Sequence, residues 1–226
     1  MQNTNSIEWV SLEEFFKHLN GSTYYVILRN FEELTDEFLS TEHPDIDFLC
    51  SDRKLFLTET RSVSRTKNIN DQVHRYIIIN NKRVDIDVRC IGDGYYDSNW
   101  EKDILNTRTL FQNKFYVPEK GNYFYSLLYH VLIQKDNVSD DYAKRLITMA
   151  KELGIEDVSI VSIKLLQSYM RRKGYMFTYP ENPKTKAYFN SVDKRLIKIN
   201  YRRLFQRRFL YCKNLIKNIL KLWVKK

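Results

Sequence analysis

The chain has little of what marks loop-rich, disulfide-stapled or membrane-spanning proteins. Among 226 residues there are 6 Gly and 4 Pro, too few for a disordered or low-complexity chain. Its 3 cysteines, Cys50, Cys90 and Cys212, are an odd set without the paired spacing of a zinc site. No disulfide framework is expected, and a reducing compartment is. Apolar runs stop well short of the roughly 18 residues that a membrane span needs. Met1 to Glu8 is polar, so no secretory leader is expected there. Histidine is also scarce. His18, His43 and His74 have no companions at metal-ligand spacing, and His43 is a bystander beside an acidic motif.

What is present is a globular composition, 43% hydrophobic and 14% aromatic, in a length that suits one good-sized core or two small ones. The net charge of +9 is uneven. From Arg171 onward there are 17 Lys and Arg against 2 Asp and Glu, whereas the preceding part has 20 against 26. A mildly acidic body with a strongly basic tail points to a polyanionic partner for the tail, an anionic membrane surface or a nucleic acid.

Period and punctuation predict an α+β order. Ser11-Leu12-Glu13-Glu14 fits a capping box opening a helix that stops at Gly21. Tyr24 to Arg29 reads as a strand, Asn30 to Glu42 as a polar connector, Asp45 to Cys50 as a second strand. Asp52 caps a short helix through Leu57, and a loop from Arg61 to Asp71 follows. A hairpin then runs Arg75 to Ile79, turn Asn80 to Arg83, return Val84 to Cys90. From Trp100 the pattern turns helical. Helices are expected over Asn122 to Gln134, from Ser139 to Gly154, from Ser159 to Gly174, and from about Val192 onward after a linker at Tyr179 to Lys186. The expected division is an α+β catalytic part over 1–115, a helical part over 116–178, and a linker with a basic helix over 179–226.

Two acidic pairs carry the chemistry. His43-Pro44-Asp45-Ile46-Asp47-Phe48 and Arg83-Val84-Asp85-Ile86-Asp87-Val88 each set two carboxylates two residues apart in an apolar run. Side chains alternate across a strand, so each pair shares a face. Ionised carboxylates in such runs are costly unless something neutralises them. One divalent-metal site at the ends of both strands meets that need, and a solvent-facing sheet face is the plain alternative. Two metal ions can stabilise the attacking and leaving oxygens of a phosphoryl displacement, and Mg²⁺ takes oxygen ligands. Asp45, Asp47 and Asp87 are the expected ligands of Mg²⁺, two ions with Mn²⁺ as a substitute. Asp87 is preferred to Asp85 because it lies nearer the break at Gly92-Asp93-Gly94. Asp85 is either the structural member of its pair or a base. Tyr95 and Tyr96, flanked by Asp93 and Asp97, read either as a lid or acceptor-binding loop or as a structural turn with tyrosine anchored in the core.

A strand, an Asp-x-Asp strand and a hairpin bringing a third acid resemble the nucleotidyltransferase fold of the DNA polymerase beta superfamily, over about Tyr24 to Cys90. The resemblance implies a nucleotide donor. Where that superfamily has a Gly-Ser or Gly-Gly pair gripping the triphosphate, this chain has Leu28-Arg29-Asn30. Arg29 and Asn30 are therefore the candidate phosphate contacts, with a surface salt bridge as the other role for Arg29. The segments Val88 to Tyr96 and Tyr123 to His130, with Lys135, are similar to nucleotidyltransferase-like proteins encoded among surface-glycan genes. That similarity implies a glycan or small-molecule acceptor. On the helix after the acids, Tyr129, His130 and Lys135 are candidates for the cleft, His130 as acid or base and Lys135 on phosphate. Packing and solvation are their plain alternatives.

In the tail, Phe205, Phe209, Cys212, Ile216, Ile219 and Trp223 recur at helical spacing, with arginines and lysines between them. A basic amphipathic helix of this kind fits an interfacial anchor, so residues 194–226 are expected at an anionic membrane surface. Nucleic acid is the lesser expectation and a core helix the plain one. The expected protein is a cytoplasmic Mg²⁺-dependent transferase of nucleotidyl or phosphoryl groups, peripheral at the inner face of a membrane. A metal-dependent glycosyltransferase using Asp-x-Asp and a non-catalytic binding module at the membrane are the competing readings.

Overall fold

The computed structural model describes residues 8–35, 37–66, 71–156 and 159–224. The protein is α+β, and it divides into two compact units, Met1–Ile91 with Ser98–Leu127, and Gly92–Asp97 with Leu128–Lys226.

The first unit opens with helix α1 (Leu12–Ser22). Ser11 Oγ accepts from the Glu14 N–H at 3.1 Å, while the Glu14 carboxylate accepts from the Val10 N–H at 2.7 Å. The capping box thus closes one residue further out than expected. The helix also continues through Gly21 and ends where the Thr23 N–H bonds Leu19 O. Strand β1 (Tyr25–Ile27) is shorter than the run predicted. The acidic connector holds two 3₁₀ turns, Phe31–Glu33 and Phe38–Ser40. Strand β2 (Asp45–Cys50) has the predicted bounds. Helix α2 (Arg53–Glu59) is capped by Asp52, whose Oδ1 accepts from the Leu55 N–H at 2.9 Å.

The basic loop contains a two-residue strand, β3 (Val63–Ser64). It is followed by β4 (His74–Ile79) and β5 (Lys82–Cys90). Their turn is only Asn80-Asn81, both at positive φ (49° and 61°), so β5 starts earlier than predicted. Two consecutive residues at positive φ match the twist of a tight hairpin, and Asn tolerates that backbone. Helix α3 (Ser98–Asn106) leads into a hairpin of β6 (Thr109–Phe111) and β7 (Phe115–Val117). This hairpin is a correction, since only helices were expected beyond Trp100. Its turn, Gln112-Asn113, lies at positive φ without any glycine. Helix α4 (Lys120–Tyr129) carries the unit boundary within it.

The main sheet has the order β1-β2-β5-β4-β3. Strand β2 pairs parallel with β5, and the other neighbours are antiparallel. Period-2 alternation puts Ile46, Phe48, Ile77, Ile79, Val84, Ile86 and Val88 on one face, all buried. Phe15 of α1 and Phe56 of α2 meet Phe48 from that side, with ring centroids 6.4 and 5.0 Å away. Each such side chain contributes about 1.5–3 kcal/mol by leaving water. This buried face fixes which way the acids must point.

In the second unit the chain past α4 makes a π-helical turn, His130–Gln134, then α5 (Asp140–Glu152) and α6 (Ile163–Lys173). Ser139 and Ser162 cap these helices, and Gly174 closes α6 at φ 72°. A cap at Ser162 makes α6 begin later than predicted. Strands β8 (Phe177–Thr178) and β9 (Ile197–Lys198) pair in parallel. The basic helix α7 spans Tyr201–Val224. It does not start at Val192, because a 3₁₀ turn (Lys194–Leu196) capped by Asp193, and then β9, intervene. Tyr95 and Tyr96 are buried, and the Thr178 hydroxyl lies 3.0 and 2.9 Å from the carbonyl oxygens of Gly94 and Tyr96. The lid reading of this segment is corrected to a structural turn.

Candidate functional site

The core face takes Ile46 and Phe48, so Asp45 and Asp47 project from the opposite face of β2. The same logic turns Asp85 and Asp87 outward on β5. Parallel register sets Asp45 beside Asp85 and Asp47 beside Asp87. Strand β4 adds His74 opposite Asp87. Four carboxylates chosen from the sequence are thus brought onto one patch of the first unit. Their burial is graded. Asp45 is exposed at the strand's start, Asp85 and Asp87 are intermediate, and Asp47 is buried.

Arginines answer these charges. Arg29 Nη2 donates to Asp47 Oδ1 at 2.7 Å. Arg65 bridges two acids, with Nη1 2.8 Å from Asp85 Oδ2 and Nη2 3.2 Å from Asp87 Oδ1. Arg83 Nε donates to Asp85 Oδ1 at 2.8 Å, and Arg89 Nη2 lies 3.6 Å from Asp87 Oδ2. Arg29 is itself buried, so the surface salt bridge considered for it is replaced by a buried ion pair.

The proton affinities follow this layout. Withdrawal from water, then repulsion by Asp47 and Asp87, pushes the Asp45 carboxyl up to about 7. By surface area Asp45 is exposed, whereas the first of these causes needs a carboxyl withdrawn from solvent. Repulsion among clustered carboxylates persists at an open site and has the same sign, so the upward direction stands. Burial, then the Asp47 charge, also raises Asp87. Burial opposes the fall of Asp85, but hydrogen bonds from Arg65 and Arg83 outweigh it and hold Asp85 below the usual carboxylate range.

His74 Nδ1 shares a 3.0 Å hydrogen bond with Asp71 Oδ2. Burial alone would raise Asp71. The His74 side chain and the N–H groups of His74 and Val73 overcome that and bring it down to about 2. A carboxylate therefore fixes the orientation of an imidazole next to the acid patch.

The donor set is carboxylate oxygen throughout, which suits Mg²⁺ or Mn²⁺ in ligand type. Among the described residues, however, no three His, Cys, Asp or Glu side chains stand ready to hold an ion as they are. Guanidinium groups occupy the cationic positions instead. The Asp45 carboxylate makes no hydrogen bond or ion pair among the described residues. The oxygen donors match a hard divalent ion in type, but as arranged Asp47 is held by Arg29, and Asp87 by Arg65 and Arg89.

The other predicted residues have these places. Asn30 stands at φ 55° and leads into the Phe31–Glu33 turn. His130, Tyr129 and Lys135 belong to the second unit. His130 Nδ1 shares a 2.9 Å hydrogen bond with Gln134 Oε1 and meets the Tyr142 ring edge-on. Tyr129 is buried and stacks on Phe177. Lys135 is exposed on a cleft of about 470 Å³ with Asp136, Ile163 and Tyr188. In the first unit a cleft of about 460 Å³ lies between α1 and the turn before β7. Neither cleft is lined by the carboxylates.

The sequence reading missed Arg65, Arg89, His74 and Asp71. Arg89 was within reach, since it follows Asp87 by two residues on the same strand face. Arg65 was not, because only the pairing of β3 with β4 carries it to the acids. No protein-family model matches the chain, and no curated protein matches it.

Proposed function

We propose that this protein is an Mg²⁺-dependent transferase built on a nucleotidyltransferase-like sheet, moving a nucleotidyl or phosphoryl group to a glycan or small-molecule acceptor. One observation carries the reading. A parallel pair of strands in register aligns two Asp-x-Asp motifs, so that Asp45, Asp47 and Asp87 share one patch, where burial and then mutual repulsion raise Asp45 and Asp87. Crowded carboxylates of this kind favour a multivalent cation. A strand antiparallel to the Asp-x-Asp strand, with a hairpin supplying the third acid on its other side, supports the fold relationship. The acceptor class rests on the sequence resemblance.

In this reading Asp45, Asp47 and Asp87 hold Mg²⁺, which when bound neutralises charge on the transferring phosphoryl group. Arg29 fixes the Asp47 carboxylate from beneath. Arg65, released from Asp87, is positioned to pair with a phosphate as a charged fork. His74, oriented by Asp71, takes the acceptor proton. Surface polysaccharide or glycolipid assembly is the setting proposed.

The arginine pairing favours a second reading, a non-catalytic binding module in which Arg29, Arg65 and Arg89 have taken over the place of the cation. Calorimetric titration with nucleoside triphosphates and sugar nucleotides, with and without Mg²⁺, separates the two. Metal-dependent triphosphate binding that disappears in Asp45→Ala supports the transferase. Sugar-nucleotide binding alone points to glycosyl transfer, and no binding with folding intact points to the module.

A further inference from the structure

The basic helix α7 turns Arg203 and Arg207 inward and Tyr201, Phe205 and Phe209 outward. Arg203 donates to the Tyr179 and Gly92 carbonyl oxygens, each at 3.0 Å. One turn on, Arg207 donates to the carbonyl oxygens of Thr185 at 2.8 Å and Pro180 at 3.2 Å. Leu204 and Leu210, on the same side, are of intermediate burial. The helix is therefore fastened to its own unit through residues three and four apart, along one face. The opposite face carries Tyr201, Phe205, Phe209 and Ile216 with relative exposures of 78, 70, 65 and 58%. From Tyr211 to Lys217 every side chain is exposed. A helix packed as an ordinary core helix has the reverse pattern. A contiguous exposed apolar stripe of this size marks an interaction surface.

We infer that α7 is a docking surface for an anionic lipid bilayer. The chemistry flanking the stripe selects this occupant. Arg202 and Lys213 border it on one side and Arg208 on the other, and α7 contains no acidic residue. Two copies packed stripe to stripe would set these cationic borders against each other with no acid to pair them. A bilayer takes both features together. Phenylalanines enter the boundary between headgroups and acyl chains, while arginine and lysine extend to lipid phosphates. At 1.5 Å per residue the helix is about 36 Å long. No helix among the described residues is long and apolar enough to cross a membrane, so α7 lies in the plane of the surface. The inference is independent of the carboxylate site.

Sedimentation of the full chain with vesicles tests it, comparing phosphatidylcholine alone with phosphatidylcholine containing phosphatidylglycerol. Binding at least about tenfold tighter to the anionic vesicles is expected, and it should weaken as salt is raised. Phe205→Ser/Phe209→Ser should lower binding to anionic vesicles about tenfold or more. These side chains are exposed, so circular dichroism and melting should be unchanged. Arg202→Gln/Arg208→Gln should reduce the preference for anionic lipid by about fivefold per charge. The inference is overturned if neither vesicle sediments the protein, or if neither pair of substitutions changes binding. Dimerisation in light scattering that the Phe pair abolishes, without vesicle binding, would assign the stripe to a second copy. Retardation of RNA that the Arg pair abolishes, without vesicle binding, would assign it to nucleic acid.

Discussion

Arg29 Nη2 stands 2.7 Å from Asp47 Oδ1, and both side chains are buried. The Asp-x-Asp motif is therefore anchored by an internal cation at its inner member, while its outer member, Asp45, is left among like charges at the surface. The two aspartates of one motif differ in what holds them, and their substitutions should differ accordingly.

Arg29→Met removes the cation and leaves the buried Asp47 uncompensated. A loss of about 3–5 kcal/mol of stability is expected, since breaking one side of a buried pair strands its partner. Arg29→Met/Asp47→Leu should regain most of that loss. Urea unfolding of the single and double variants measures the coupling. A single variant costing under about 1 kcal/mol would mean that solvent screens the pair.

Asp45 gives the opposite sign. Its carboxyl rises from the ordinary 3.8 to about 7, so the folded state holds its proton more tightly than the unfolded chain. The contribution is fully present below the unfolded value and is lost as pH rises through about 7. In EDTA, the wild-type melting temperature should fall between about pH 4 and pH 7. Asp45→Asn should flatten much of that fall, leaving the part due to Asp87. In the proposed reaction the same variant should lose at least about a hundredfold in turnover, the usual scale for an electrostatic group at the reacting centre. Unchanged turnover would remove Asp45 from the site.

Asp71, brought down to about 2, acts at the acid end. Its contribution is present above the unfolded value near 4 and is lost as pH falls through about 2. Asp71→Asn should lower stability at pH 7 and make the acid limb of the melting profile shallower. In the proposed mechanism it should also lower turnover more than substrate affinity, because an imidazole that has lost its carboxylate is free to turn.

Arg65 sits where a cation is wanted. Arg65→Gln removes a unit charge beside Asp85 and Asp87, and at about 4 Å the repulsion between that charge and a doubly charged ion is worth about 2 kcal/mol even in water. Mg²⁺ should therefore bind the variant about thirtyfold more tightly than wild type, read as a larger Mg²⁺-dependent rise in melting temperature. Equal shifts in both proteins would mean that the ion, if bound, does not share the place of Arg65.

The hairpin turn offers a test of backbone alone. Asn81 stands at φ 61°, so Asn81→Gly should be neutral or slightly stabilising, whereas Asn81→Val should cost about 1–2 kcal/mol. Denaturant midpoints decide between them.

The sequence by itself determined the features whose physics is local. Alternation placed each Asp pair on one strand face because the period of a strand is two residues. Ser11, Asp52 and Ser139 were legible as caps because a helix start needs an acceptor within its first turn. Two asparagines were legible as a hairpin because few residues accept positive φ. Register, partner and facing were decided only in the tertiary structure. Strand β2 carries no local sign that it lies in parallel beside β5, so the pairing of Asp47 with Asp87 could not be read from either strand. Nothing near Arg29 or Arg65 in sequence announces a carboxylate, since their partners stand 18 and 20 or more residues away. The β6–β7 hairpin was missed because its turn uses Gln112 and Asn113, without glycine or proline. In α7 the helical period disclosed two faces, but the carbonyl groups of Gly92, Tyr179, Pro180 and Thr185 decided that Arg203 and Arg207 turn inward. A side chain's chemistry is written in the chain, but the charges and surfaces it meets depend on contacts that only the folded protein makes.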